Sequence, residues 1–235
     1  MRINLEPAFI LHTRPYRETS FLLEVFAKEH GRISLIARGA RKHKSKSLLQ
    51  PFIPLLLSWQ GKSELMTLQT IEPQTGFGRL KGDGLLSGFY LNELLMRLLQ
   101  KHDPYPQLYT IYHHTLLKLA QMPFQEEVLR LFEKKLLEEL GYGLQLRHDV
   151  QNGEPLVAER FYRFYPEQGF IRSERWSEDI SPLLFSGKSL LALAEEQWTD
   201  KELLKEAKRL MRAALLAILG SKPLHSRKLF IEVIE

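Results

Sequence analysis

The segment Arg38-Gly39-Ala40-Arg41-Lys42-His43-Lys44-Ser45-Lys46-Ser47 carries five basic side chains and no acidic one. Guanidinium and ammonium groups packed this densely do one kind of chemistry. They replace the counterions of a polyanion, above all the phosphates of a nucleic acid. A solvated turn with surplus lysines has the same composition, since charge runs are commonly exposed surface. The distribution of charge along the chain separates the two readings. Residues 1–80 hold 12 Lys and Arg against 6 Glu, and the rest of the chain holds 21 basic against 22 acidic residues, so the whole formal charge of +5 lies in the first third. Such asymmetry marks the basic part as the partner of a polyanion. Arg14-Pro15-Tyr16-Arg17 adds two cations around a ring, in what reads as a turn between strands. Single-strand binders combine a cationic groove with aromatic faces on which bases stack. Tyr16 is the stacking candidate, because Phe9, Phe21, Phe26, Phe52 and Trp59 fall within strands and are expected in a core.

Other chemistry is not encoded in recognisable form. The sequence has no phosphate-cradling Gly-x-x-x-x-Gly-Lys run, no Gly-x-Gly-x-x-Gly after a strand and no Gly-x-Ser-x-Gly elbow. With no cysteine, thiol nucleophiles, disulfides and thiolate metal sites are excluded. His113 and His114 are adjacent, so on a helix they diverge by about 100° and do not chelate one ion. His148, Asp149 and Asn152 form a weak mixed set in a polar loop. Glu126-Glu127 and Glu138-Glu139 read as solvated carboxylates. No catalytic residue, metal or cofactor is therefore expected, and the chain is read as a binding protein and not an enzyme. The N-terminus lacks a signal-peptide pattern and no apolar stretch spans a bilayer, so a cytoplasmic location without membrane contact is expected.

The elements that must position the cations follow from periodicity. Five short runs, Ala8–Thr13, Ser20–Phe26, Arg32–Ala37, Phe52–Trp59 and Leu65–Glu72, read as strands bounded by turn formers. Five strands with one long loop fit a small Greek-key barrel, either an OB-fold or an SH3-like barrel. Gly76, Gly78, Gly82 and Gly84 read as a linker, with a barrel domain over 1–80 and a helical domain over 81–235. Helices are expected at 85–98, 107–121, 125–140, 189–197 and 201–219, with an irregular hairpin segment over 143–180. In the first helix Leu85, Leu86, Phe89, Tyr90, Leu94, Leu95 and Leu98 leave little polar surface, which predicts a central place in the core. Gly141 falls at a helix C′ position. On the last helix Lys205, Lys208, Arg209 and Arg212 line one flank, which reads as ordinary solvated surface or, if it lies beside the basic loop, as a further set of DNA-binding candidates.

Several stretches carry a likeness: Arg14-Pro15-Tyr16-Arg17-Glu18-Thr19-Ser20, Gly31-Arg32, Ala37-Arg38-Gly39-Ala40-Arg41 and Leu49-Gln50-Pro51-Phe52-Ile53-Pro54-Leu55. It continues through Asn92-Glu93-Leu94, Glu139-Leu140-Gly141-Tyr142-Gly143, Gly153-Glu154-Pro155 and Gly220-Ser221-Lys222-Pro223-Leu224-His225-Ser226-Arg227-Lys228-Leu229-Phe230. In this order and spacing they resemble the bacterial recombination mediator family RecO. The resemblance implies an α+β chain: an N-terminal five-stranded OB-fold barrel, then a mostly α-helical C-terminal domain. It implies a DNA repair mediator of the RecF-type pathway, associated with the nucleoid. Such proteins bind single- and double-stranded DNA, contact the single-stranded DNA-binding protein SSB and RecR, anneal SSB-coated complementary strands and assist RecA loading. Many members carry four cysteines as a zinc module after the Gly-Tyr-Gly motif. The matching stretch here, Leu144 to about Arg175, has none, so this is a zinc-less hairpin insertion.

On this basis Arg14, Tyr16, Arg17, Arg38, Arg41, Lys42, Lys44 and Lys46 are expected to contact DNA, with Arg32 a weaker addition. The SSB tail is acidic and ends in an apolar residue with a free carboxylate, so it requires an apolar pocket rimmed by a cation. Tyr109, Tyr112 and Arg130 are the candidates, against the reading that Arg130 only pairs with Glu126, Glu127 or Glu133. Two other functions fit the residues alone: an RNA-binding OB-fold protein, and a protein-interaction adaptor whose loop meets an acidic partner.

Overall fold

The N-terminal strand, β1 (Arg2–Tyr16), is longer than its apolar run because it serves two neighbours. Its first half pairs antiparallel with β4 (Pro54–Gln60), from Arg2 against Gln60 to Phe9 against Pro54. Its second half pairs antiparallel with β2 (Ser20–Ala27), from Ala8 against Ala27 to Tyr16 against Ser20. Register shifts between Ile3 and Glu6 and between Ile10 and His12 bend it between the two. Leu5, at φ 49°, lies in the first of these bulges. β3 (Gly31–Ala37) continues antiparallel to β2, and β5 (Leu65–Pro73) pairs antiparallel with β4 and parallel with β3. The ring β1-β2-β3-β5-β4 closes on β1. This is the OB-fold, and the parallel β3–β5 seam is what closes it. The computed structural model describes residues 2–42, 44–75, 78–121, 123–173, 183–198 and 200–226, with Lys42, Lys44 and Ser45 described by their backbone alone.

Inward-facing residues alternate along the strands. Ala8, Ile10, Leu23, Val25, Ile33, Leu35, Leu55, Leu57 and Trp59 fill the barrel. Phe9 and Phe26 are equally buried but belong to the opposite face. They pack edge-on or tilted against Tyr109 and Tyr112, at centroid distances of 5.1–6.2 Å. Both tyrosines lie on α2 (Pro106–Leu119). The aromatic residues expected inside the barrel are thus split, with Trp59 within and Phe9 and Phe26 beneath a helix.

Two compact units result. The first runs through Gln125 and includes the segment from Pro223, and the second spans residues 126–222. The first holds the barrel, α1 (Gly82–Leu98) and α2. Gly84, one of the clustered glycines, lies inside α1, where a Cβ would meet the Leu119 carbonyl oxygen at 2.3 Å. Asn92 of α1 donates to the Leu11 carbonyl at 2.8 Å and accepts from the Tyr112 hydroxyl, so β1, α1 and α2 share one buried polar junction.

The second unit contains α3 (Glu127–Glu139), a three-stranded sheet, α4 (Gly187–Glu195) and α5 (Lys201–Leu219). α3 ends at Leu140 with Gly141 at φ 82°, its N–H donating to Glu138 and that of Tyr142 to Leu137, a Schellman ending as its sequence predicts. β6 (Phe161–Tyr165) and β7 (Gly169–Ser173) form the expected hairpin. β8 (Leu184–Ser186) joins the free side of β6 just before α4. Ser186 caps α4 through Ser189, and Asp200 caps α5 through Leu203.

Candidate nucleic-acid interface

Strand register brings the N-terminal cations together. Tyr16 pairs with Ser20 where β1 meets β2, and Phe21 pairs with Ala37 at the end of β3. The turn Arg17–Thr19 and the segment leaving β3 at Arg38 therefore emerge on the same rim. Arg41 joins them. Its N–H donates to the Thr19 carbonyl at 3.0 Å, and its guanidinium donates to the carbonyls of Arg17 and Glu18 at 3.3 and 3.1 Å. The basic segment is not a free loop but two 3-10 turns, Ala40–Lys42 and Lys44–Leu48. Ala40 and Leu49 are buried in the barrel core, and Thr13 donates to the Leu49 carbonyl at 2.9 Å. Apolar anchors at both ends thus fix the two turns to the barrel, with Arg41 and Lys46 exposed between them.

Arg14, Arg17, Arg38, Arg41 and Lys46 are all exposed. Among the described residues none of them forms a salt bridge. Carbonyl contacts orient the Arg41 guanidinium without neutralising it. Lys42 and Lys44 sit in the two turns, their side chains outside the described set, as is His43. Tyr16 is half-buried, with the Arg17 guanidinium carbon 5.3 Å from its ring centroid, within cation–π range.

Arg32 does not join this rim. It begins β3, six residues from Arg38 and so about 20 Å away along the strand. Its guanidinium pairs with Glu24 at 3.2 Å and its Nε donates to the Leu99 carbonyl at 3.1 Å. Beside it, Gly31 takes φ 64°, and a Cβ there would lie 1.9 Å from the Asp103 carbonyl oxygen. The Gly31-Arg32 pair therefore seats the barrel on the segment between α1 and α2, which is a structural duty.

The basic flank of α5 is largely compensated. Lys205 pairs with Glu202 at 2.7 Å, Lys208 with Glu126 at 2.6 Å and Arg209 with Glu206 at 3.8 Å. Arg209 also lies 4.7 Å over the Phe185 ring and donates to the Leu184 carbonyl. Arg212 is exposed. Helical spacing shows which cations share a face but not which glutamates answer them from other turns.

The expected SSB-tail set is corrected by burial. Tyr109, Tyr112 and Arg130 are 5%, 0% and 5% exposed. The tyrosines fill the layer under Phe9 and Phe26, and desolvation pushes both phenols up from their ordinary value, so they stay neutral. Arg130 pairs with Glu133 at 3.0 Å inside the second unit. As placed, these three side chains offer a peptide almost no surface.

The cysteine-free stretch is held by hydrogen bonds. The Asp149 carboxylate accepts from the N–H groups of Gln151 and Arg172, both at 2.8 Å, and Asn152 accepts from the Glu154 N–H at 3.0 Å. Both residues thus use their oxygens on the main chain. Among the described residues no group of three or more His, Cys, Asp or Glu side chains is placed to hold a metal ion, and no helix is long and apolar enough to cross a membrane.

A closed OB-fold barrel with unpaired cations gathered on one rim, followed by helices, places this chain in the class of OB-fold proteins with a helical C-terminal region. Residues 1–77 match the family model described as Recombination protein O N terminal, and residues 79–228 match that described as Recombination protein O C terminal. The chain is 50% identical over 230 residues to the DNA repair protein RecO of Coxiella burnetii (strain RSA 331 / Henzerling II), covering 97% of this chain and 98% of that one. It is 46% identical over 235 residues to the DNA repair protein RecO of Nitrosococcus oceani, at 99% and 95% coverage. Against the protein of that name from Vibrio parahaemolyticus it is 46% identical over 226 residues, at 95% and 91% coverage. The chain belongs to the recombination protein O family, and its role lies in DNA repair and recombination.

Proposed function

We propose that this protein is a non-catalytic recombination mediator that holds DNA strands on the barrel rim. It binds single- and double-stranded DNA, contacts SSB and RecR, anneals SSB-coated complementary strands and assists RecA loading in the cytoplasm. One observation supports this best: Arg14, Arg17, Arg38, Arg41 and Lys46 are exposed around one rim without a carboxylate partner among the described residues. Two complementary strands repel through their phosphates. A surface that neutralises both lowers that repulsion and raises their local concentration, which is all that annealing requires. Contact with SSB is proposed for the protein and not for Tyr109, Tyr112 or Arg130.

The test is annealing of SSB-coated complementary oligonucleotides with and without the protein, paired with a salt titration of single-stranded DNA binding. Five phosphate contacts give a log–log slope of about −3.5, from roughly −0.7 per contact. Binding that ignores salt, or annealing that the protein does not accelerate, overturns the proposal. An RNA competitor that displaces DNA in preference would point to 2′-hydroxyl recognition instead.

A further inference from the structure

Just beyond the basic turns the structure exposes an aromatic pair that the phosphate-binding rim does not use. Phe52, at the end of Leu49-Gln50-Pro51-Phe52, takes φ 70°, a conformation unusual for a bulky residue. Its ring rests on Gly88 of α1, where a Cβ would meet Phe52 carbons at 2.9 and 3.0 Å. Its neighbour on that helix, Phe89, meets it edge-on, with ring centroids 5.1 Å apart and planes at 71°. Phe89 is 39% exposed, although the apolar pattern of α1 places it in the core. The reason is geometric: Gly88 gives its space to Phe52, and the adjacent residue is turned outward.

We infer that Phe89, braced by Phe52, is a stacking platform for an unpaired nucleobase of a single strand whose phosphates lie on the rim. This rests on the DNA-binding reading proposed above. Charge and continuity select the occupant. The same segment that ends in Phe52 begins with the unpaired cations, and it is tied to the rim at Thr13 and at Thr19. From Arg17 back to Thr13 along β1 is about 13 Å, and from Leu49 to Phe52 is at most about 11 Å. With the Thr13–Leu49 link and the step from Phe52 to the Phe89 ring added, the platform lies within about 40 Å of Arg17, a span that fits the roughly 4–16 nucleotides an OB-fold occupies. A half-exposed ring with a perpendicular aromatic brace accepts any base, so this contact adds affinity without sequence preference.

The experiment measures anisotropy of labelled oligothymidylate and of an abasic strand with the same number of phosphates. Wild type is compared with Phe89→Ala and Phe89→Trp. Expected for Phe89→Ala is a loss of about tenfold on oligothymidylate with no change on the abasic strand and an unchanged salt slope. Phe89→Trp should keep the affinity, with its emission quenched by oligothymidylate alone. An equal loss on both strands, no loss on either, or an unquenched tryptophan overturns the platform. So does loss of binding to an acidic peptide ending in Phe while oligothymidylate affinity is retained, because that result makes the patch a peptide site. If wild type binds neither strand with a salt slope, the rim reading fails first, and the abasic control identifies that case.

Discussion

Asp149 carries the sharpest structural prediction, because it anchors the cysteine-free stretch between α3 and the β6–β7 hairpin. It is 3% exposed. β7 pairs with β6 on one side alone, so its other edge presents free main-chain groups. Residues 149 and 150 cover that edge: the Val150 N–H donates to the Phe170 carbonyl at 2.9 Å, and the Arg172 N–H donates to Asp149 at 2.8 Å. The second carboxylate oxygen takes the Gln151 N–H and closes an Asx turn, while the Asp149 main chain bonds both Glu154 and Gly153. One side chain thus fixes the loop to itself and to the hairpin. Hydrogen bonds to a carboxylate contribute about 1.5–3 kcal/mol each. Gln151 is exposed, so its N–H finds water when the carboxylate is removed. Arg172 is exposed as well, so water replaces part of both bonds. Asp149→Ala should therefore lower the stability of this unit by about 2–4 kcal/mol, and Asp149→Asn, which retains one acceptor, by about half as much. The assay is amide hydrogen exchange at Gln151 and Arg172 alongside urea unfolding followed in the second unit. An Asp149→Ala protein that keeps Arg172 protected and loses under about 0.5 kcal/mol would show that apolar packing of Phe164 and Phe170, and not this carboxylate, holds the stretch in place.

Three further outcomes are expected. Glu93 accepts the N–H groups of His225 and Ser226, both at 2.8 Å, and although burial opposes its charge, these donors hold its pKa below the usual 4.5. A depressed carboxylate stabilises above its unfolded pKa, so attachment of Pro223–Ser226 to α1 should weaken as pH falls below about 4.5, seen as faster exchange at 225 and 226. Glu93→Gln should remove that acid dependence. Gly31→Ala meets the Asp103 carbonyl at 1.9 Å and forces a side chain to φ 64°, so thermal denaturation should show a loss of at least about 2 kcal/mol. Arg17→Glu with Lys46→Glu should flatten the single-strand salt slope by at least about 1.4, from roughly 0.7 per lost contact, while far-UV circular dichroism stays unchanged. An undiminished slope would remove both residues from the DNA surface.

The fold was legible where its signal is local. Strand alternation and helical spacing mark five barrel strands and five helices within about three residues of their observed ends, the start of β1 excepted. Gly141 reads correctly as a helix ending because the αL requirement is a property of one residue. What is lost is whatever depends on a second segment. β1 extends to Arg2 because β4 lies beside it, and nothing in Arg2–Pro7 announces that partner. β8 is three residues long and too short to show a period. Gly84 reads as linker because its composition is that of a linker, whereas its cause is the close passage of α2. The site divides in the same way. Clustered cations identify the rim, and register then confirms which of them share it. Charge alone cannot separate Arg17 from Arg32, since the difference is one glutamate, Glu24, on a neighbouring strand.

The placement of Phe9 and Phe26 ties the rim to the helices that follow it in sequence. Residues 1–77 and 79–228 are the units that the family models recognise, yet compactness joins the barrel to α1 and α2. The reason is that β1 and β2 are apolar on both faces: one face fills the barrel and the other needs Tyr109 and Tyr112 to exclude water. Asn92 adds a directional constraint, because its amide holds the Leu11 carbonyl two residues before Thr13, which in turn holds Leu49 at the end of the basic turns. Cations on a free loop lose conformational entropy when they bind phosphates. Here that entropy is lost on folding, through a chain of contacts running from α2 through α1 and β1 to the two turns. If the rim is the DNA surface proposed above, strands meet cations whose main chain is already fixed, and that order depends on helices outside the barrel.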